Sequence, residues 1–274
     1  MSQLIVDPQK CNKDGICVYE CPTRIIAMPS KDSLPEQTQN FDEYCLRCGH
    51  CVAVCPTGAL RLDWLTPEEC PPVDKKARPD AAHAEQFLRS RRSYRTYKDK
   101  AVEREKLEKL LEIAGYAPSA KNNQPWRWTV VETPAETKRL AGMVIEWMRP
   151  IIKNDPQTAM KRGFSRVVER WDKGEERICC GAPCVIVAHG DKNYLFGSTD
   201  CALALSYLDL YAPSLGLGAC WGGYFYSAVN SYPPLFKALG LPADHKAYGA
   251  MMVGYPKFTY HLLPLRNTPE VTWL

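Results

Sequence analysis

At 274 residues, with 45% hydrophobic and 24% charged side chains, the chain can build one large hydrophobic core and a small second domain, and its composition excludes a disordered polymer. The formal charge of +4 counts no cysteine as a thiolate, so metal-bound protein would be less positive and bulk charge gives no support to nucleic-acid binding. Residues 1–10 lack a basic region followed by an apolar stretch, and no run approaches bilayer-spanning length, so the expectation is a cytoplasmic protein without membrane contact.

In chain order, the first 65 residues are dense in cysteine. Of thirteen cysteines, seven lie between Cys11 and Cys55, which suits metal better than disulfides. With little apolar periodicity, this segment needs a metal staple to fold. Its second cluster reads Cys45-x2-Cys48-x2-Cys51-x3-Cys55-Pro56, the spacing that holds a 4Fe-4S cubane. The first reads Cys11-x2-Asp14-x2-Cys17-x3-Cys21-Pro22, with aspartate in place of the second cysteine. Three close thiolates wrap one cubane while the fourth reaches the other. Crossed ligation then gives cluster one Cys11, Asp14, Cys17 and Cys55, and cluster two Cys45, Cys48, Cys51 and Cys21. A carboxylate is a harder ligand than a thiolate, so cluster one is an Asp-ligated 4Fe-4S, a 3Fe-4S, or an interconverting pair, the first being favoured. In the plainest alternative Asp14 only shapes a turn with Gly15. Structural zinc is disfavoured because its cysteines usually come as two separated C-x-x-C pairs. The two motifs resemble the two-cluster bacterial ferredoxin domain over residues 5–65, a family whose function is low-potential electron transfer.

Residues 66–82 combine prolines and charges and read as an extended linker. Residues 83–274 alternate helical and strand-like patterns. Residues 103–117 form an amphipathic helix with Leu107, Leu110, Leu111 and Ala114 on one face. Residues 126–132, 184–190 and 247–256 read as strands, and Ser198 or Thr199 is the expected cap of a helix through 201–216. Between 143 and 177, helix signals are expected to break at Pro150 and Pro156, and the aromatics around Trp147 and Trp171 either cover a substrate site or pack. The Pro-rich tail, 255–274, has too few periodic apolar positions for a helix and too many large apolar groups to stay solvated, so it is expected to lie across another surface. Cys179, Cys180 and Cys184 fit no metal template and read as small buried apolar residues.

Three stretches carry chemistry. Arg89 to Arg95 gathers guanidiniums and hydroxyls suited to a phosphate dianion. Residues 117–126, A-P-S-A-K-N-N-Q-P-W, offer Ser, Asn and Gln groups to the polar edge of a ring, and 216–223, G-L-G-A-C-W-G-G, lets backbone approach a flat ligand. The order R-R-S-x-R, A-P-S-A-x-N-x-Q-P-W, G-L-G-x-C-W-G-G, V-G-Y-P resembles the FMN-dependent nitroreductase superfamily over residues 85–266. That resemblance implies an α+β fold, a nitroreductase-like FMN domain following the small ferredoxin-like iron–sulfur domain, and a homodimer with intertwined extensions and FMN at the subunit interface. By motif position it assigns Arg91, Ser93 and Arg95 to the FMN phosphate and ribityl end, with Arg266 as a helper from the tail. Pro118, Ser119, Ala120 and Asn122 would contact the flavin, and Trp221, Gly222 and Gly223 would flank its N5. Gly222 stands where some members carry an acidic residue, which leaves donor and substrate preference open. No strand-to-helix turn carries G-x-G-x-x-G, so a separate Rossmann nicotinamide domain is not expected.

The expected activity is an FMN-dependent, nitroreductase-type oxidoreductase. A low-potential donor such as ferredoxin reduces the clusters, these pass electrons to FMN, and a nitroaromatic or similar small planar acceptor is reduced, with no side chain acting as nucleophile. The alternatives are the same parts run in reverse as a flavin dehydrogenase, a non-catalytic redox sensor or carrier, and a zinc-stapled nucleic-acid module.

Overall fold

The computed structural model describes residues 3–274 and separates into two units, 1–79 with 121–123, and 80–120 with 124–274. In the first unit, β1 (Leu4–Val6) pairs antiparallel with β4 (Leu60–Leu62), and β2 (Ile26–Ala27) with β3 (Glu36–Gln37). Three short helices, α1 (Ile16–Glu20), α2 (Phe41–Tyr44) and α3 (His50–Ala53), complete it. Its small core is built from Ile25, Ile26, Phe41, Val52, Leu60 and Leu62, with Cys17 and Cys21 buried among them.

The two cysteine segments repeat each other in backbone conformation. Lys13 and Arg47 have φ of 60° and 49°, Gly15 and Gly49 have 71° and 70°, and Arg24 and Gly58 have 56° and 62°. The left-handed turn at Gly15 and Gly49 starts α1 and α3, so the chain doubles back and returns Cys17 to the neighbourhood of Cys11, and Cys51 to that of Cys45. Gly49 has a second reason to lack a side chain, since a Cβ there would lie 2.7 Å from Leu65 Cδ2.

In the second unit, α4 (Ala81–Ser90) begins at Asp80, whose Oδ1 accepts from His83 N at 2.9 Å, and α5 (Arg104–Ala114) buries Leu107, Leu110 and Ala114. After β5 (Arg127–Val131) come α6 (Pro134–Asn154), α7 (Pro156–Arg162), α8 (Phe164–Asp172) and β6 (Cys184–Asp191). Then follow α9 (Gly197–Tyr211), β7 (Gly218–Trp221), α10 (Gly223–Ser231), α11 (Pro233–Ala238) and β8 (His245–Gly254). The strands form one antiparallel sheet in the order β5-β6-β8-β7.

Helices cover both faces of this sheet, which is why its inner strands are apolar without alternating with polar residues. Val185 and Val187 of β6 point into a core with α6, α8, α10 and α11, whereas Cys184, Ile186 and Ala188 point into a core with α5 and α9. The α+β architecture expected from the motifs is what the chain adopts.

Two local expectations are corrected. Pro150 does not break α6; it lies on the exposed face in the last turns, where a lost amide hydrogen bond is tolerated, and the helix continues to Asn154. Neither Ser198 nor Thr199 caps α9, because the helix starts earlier at Gly197 with Phe196 at the cap position and no side-chain cap bond. Gly197 is required there, since a Cβ would meet the Tyr248 ring at 2.2 Å. Trp147 is core, packed edge-on to Phe164 with ring centroids 5.2 Å apart.

Candidate functional sites

Each unit carries its own candidate site. In the first, a small cavity is lined by Cys21, Cys45, Cys48 and Cys51, with Phe41 and Leu62 forming its apolar wall. Three of these thiols come from the second motif and the fourth from the first. Burial, and after it the neighbouring Cys48, Cys21 and Cys45, push the Cys51 thiol up to about 12. Cys17 is pushed up to about 11 by burial, then by Cys55, Asp14 and Cys11. The structure thus brings Cys21 beside Cys45, Cys48 and Cys51, and Cys55 and Asp14 beside Cys17.

Thiols this close resist ionising together. A bound cation reverses that repulsion, because iron coordination requires the thiolate. Cys55 is the exception already in the bare protein. Burial raises its thiol, but the Thr57 hydroxyl and the amides of Ala59, Thr57 and Leu60 outweigh it, so the net shift is downward. Asp14 is exposed, and its Oδ1 accepts from Ile16 N at 3.0 Å, an Asx turn into α1. Its carboxylate thus both shapes that turn and stands in the Cys17 neighbourhood. Among the described residues no three such groups converge on a single-ion site. His50 is exposed, 3.9 Å from Glu20 Oε1.

In the second unit, a parallel bridge between Ser93 and Ala219, with Tyr94 N donating to Ala219 O at 3.0 Å, lays the arginine segment along β7. This brings Arg91, Ser93 and Arg95 beside the 216–223 stretch. Cys220 sits among them, its thiol raised by burial and lowered in part by Arg95, Ser93 and Arg91. Arg91 Nη1 donates to Asp209 Oδ2 at 3.1 Å, the aspartate side chain being 7% exposed and the arginine 34%. Burial raises the Asp209 carboxyl despite that partner. Arg92 is buried, and although Nη1 donates to the carbonyls of Arg89 and Arg91, its Nε has no partner among the described residues.

Gly218 is dictated by packing, since a Cβ would lie 2.4 Å from the Tyr94 ring. Gly223 differs. A Cβ there would meet nothing within 4 Å, and the residue opens α10, whose first amides have no side-chain cap. Trp221, 38% exposed, and Gly223 line an open cavity together with Arg95. The uncapped amides and open space at Gly223, with the Arg95 guanidinium on the same cavity, fit a flat, anionic cofactor.

The 117–126 loop is fixed by a residue that sequence reasoning did not single out. Asp200, 3% exposed on α9, accepts from Ala120 N with both oxygens at 3.2 Å and from Tyr194 Oη at 3.1 Å. This anchors the loop that carries Pro118, Ser119 and Ala120. Asn122 groups with the first unit, where its Nδ2 donates to Arg47 O at 3.0 Å. Arg266 lies on the exposed tail and donates to Leu265 O at 3.3 Å, with no hydrogen bond or ion pair to Arg91, Ser93 or Arg95 among the described residues. The signal for Asp200 and Asp209 was two acids spaced along an otherwise apolar helix.

Residues 88–255 match the nitroreductase family, and residues 9–59 match the 4Fe-4S dicluster domain. The chain belongs to the nitroreductase family. It is 27% identical over 174 residues to a putative NADH dehydrogenase/NAD(P)H nitroreductase of Archaeoglobus fulgidus, covering 62% of this chain and 84% of that one. A 7Fe ferredoxin of Hydrogenibacillus schlegelii is 32% identical over 72 residues, covering 25% of this chain and 82% of the ferredoxin. Among solved structures, a nitroreductase with bound FMN from Desulfitobacterium hafniense is similar with a TM-score of 0.56 and 25% identity, over 69% of this chain and 97% of that one. The protein is therefore an oxidoreductase of the nitroreductase family with a 4Fe-4S dicluster domain, as the motifs imply. Among the described residues no helix is long and apolar enough to cross a membrane.

Proposed function

We propose that this nitroreductase-family enzyme takes low-potential electrons, from a donor such as ferredoxin, through two iron–sulfur clusters to an FMN, and reduces a nitroaromatic or similar electron-poor planar acceptor. The observation that carries the reading is the sorting of the ligand candidates, on one chain with the nitroreductase domain. Cys21 lines a cavity with Cys45, Cys48 and Cys51, while Cys17 has Cys11, Asp14 and Cys55 as its charged neighbours. FMN, when bound, supplies the conversion between one-electron delivery and two-electron reduction.

The chain's own residues bind and orient. Arg91 and Arg95, with Ser93, hold the phosphate and ribityl end, and Asp209 fixes the direction of the Arg91 guanidinium. Pro118, Ser119, Ala120 and Asn122 contact the ring, and Trp221, Gly222 and Gly223 line its reactive edge, Arg266 reaching the phosphate from the tail. Arg266 belongs to an extended tail whose Phe258, Leu262, Leu265 and Trp273 are all more than half exposed. A second copy of the chain, in a homodimer, covers these groups.

Cluster one is held by Asp14 as a 4Fe-4S. The similarity to a 7Fe ferredoxin favours a second form, 3Fe-4S, in which Asp14 binds no iron. Anaerobic purification with iron, sulfide and flavin assays tests both. The proposal expects one FMN and about eight irons per chain, and the three-iron form about seven. A colourless protein without flavin contradicts it.

A further inference from the structure

The open cavity beside Trp221 and Gly223, about 1150 Å³ with its mouth, is lined by five arginines and no acidic residue. They are Arg95, Arg162, Arg166, Arg170 and Arg177. Arg166 and Arg170 lie one turn apart on α8, and Arg162 stands four residues before Arg166, across the left-handed Gly163 at φ 69°. Like charges at this spacing repel and disfavour a helix, so the stripe persists against local stability.

Little within the unit neutralises it. Arg170 pairs with Glu175 at 2.7 Å, and Arg162 lies over the Phe164 ring at 4.8 Å. Glu176, next to Arg177 in the chain, is committed to the amides of Ile178, Cys179 and Gly181 at 2.6 to 2.7 Å. Among the described residues Arg95, Arg166 and Arg177 have no carboxylate partner. One cofactor phosphate carries at most two negative charges, which leaves the α8 side of the cavity in cationic surplus. The remaining wall, with Trp221, Tyr224 and Met252, is aromatic and apolar.

We infer that this cavity selects planar acceptors bearing carboxylate or phosphate groups, with the ring against the aromatic wall and the anionic edge against Arg166 and Arg177. Guanidiniums suit this task because their planar donor fork matches a carboxylate or phosphate with two hydrogen bonds. The inference rests on the reading that the flavin edge lies at Trp221 and Gly223, and it narrows the substrate class of that site.

The test uses the full-length, FMN-loaded protein under anaerobic conditions and reads binding by flavin absorbance and calorimetry. The probes are nitrobenzene, para-nitrobenzoate and nitroisophthalate, compared at low and high ionic strength. Each carboxylate is expected to tighten binding about tenfold at low salt, and the preference to shrink at high salt. In the variant Arg166→Gln with Arg177→Gln, the preference for nitroisophthalate over nitrobenzene should fall at least tenfold, with flavin content equal to the parent. Equal affinities for the three probes in the parent overturn the inference, as does an undiminished preference in the variant. Loss of flavin from the variant also overturns it, by assigning these arginines to the cofactor phosphate. If the variant does not fold, the parent's probe and salt series decides alone. A parent protein that cannot be loaded with FMN contradicts the proposed function instead, and calorimetry with nitroisophthalate then still tests the cationic cavity.

Discussion

Replacing Asp209 by asparagine separates the stability of the Arg91–Asp209 pair from its role in holding FMN. Removing one partner of a fully buried ion pair costs about 3–5 kcal/mol, and an exposed pair contributes about 0–1 kcal/mol. This pair is mixed, because the aspartate side chain is 7% exposed but the arginine is 34% exposed and can regain hydration. Burial also raises the Asp209 carboxyl above its ordinary value, so ionising it at neutral pH opposes folding. A raised carboxyl contributes stability only at acid pH, and that contribution is lost as pH rises through the folded value. Asparagine removes this burden and keeps the shape, so Asp209→Asn should change unfolding free energy at pH 7 by less than about 1 kcal/mol. FMN affinity should nonetheless fall about tenfold, since Arg91 loses the acceptor that aims it. Urea unfolding and fluorescence titration of released flavin read the two effects. A destabilisation above about 3 kcal/mol would refute the burial argument, and unchanged FMN affinity would refute the positioning role.

Three further outcomes are expected. Asp14→Cys should give the anaerobic protein about eight irons that persist on exposure to air, where the parent loses about one per chain, as counted by iron assay and electron paramagnetic resonance; parent and variant losing iron equally would remove Asp14 from the ligand set. Gly218→Val should destabilise by about 1–3 kcal/mol and change near-ultraviolet dichroism, because its side chain enters space held by the Tyr94 ring and Pro256, and a native melting curve would contradict that packing. His189, lowered to about 4 by burial, then by His245 and Arg127, shares a 2.8 Å Nδ1–Nδ1 hydrogen bond with His245. Its neutral form is the folded one, so stability should fall by at most about 3 kcal/mol as pH drops from about 6.5 to about 4; His189→Gln should lack that slope in urea titrations.

Elements whose pattern and packing agree were legible in the sequence. The run at 184–190 is a strand buried on both faces, and the Leu107, Leu110, Ala114 stripe is the buried face of α5. The dicluster domain was legible because the spacing of close ligands is short-range and imposed by cluster size. What escaped depended on tertiary contact. Pro150 looked like a helix end because its effect depends on which face it occupies, and Ser198 looked like a cap because the Gly197 contact with Tyr248 was invisible. Asp200 and Asp209 stand out as acids on an apolar helix, but they act on partners 80 and 118 residues away, which no local pattern names. The α8 arginines were not singled out in the sequence, because only the fold lines them up with Arg95 and Trp221 around one cavity.

The claim that the clusters feed the flavin is tested most directly by anaerobic stopped-flow mixing of FMN-loaded protein with reduced ferredoxin, beside a Cys48→Ser, Cys51→Ser variant that retains FMN. In the parent, cluster absorbance should bleach before flavin absorbance, and the variant should accept electrons from dithionite but at least a hundredfold more slowly from ferredoxin. Flavin reduction at the same rate in both proteins, with the parent's clusters still oxidised, would contradict the account.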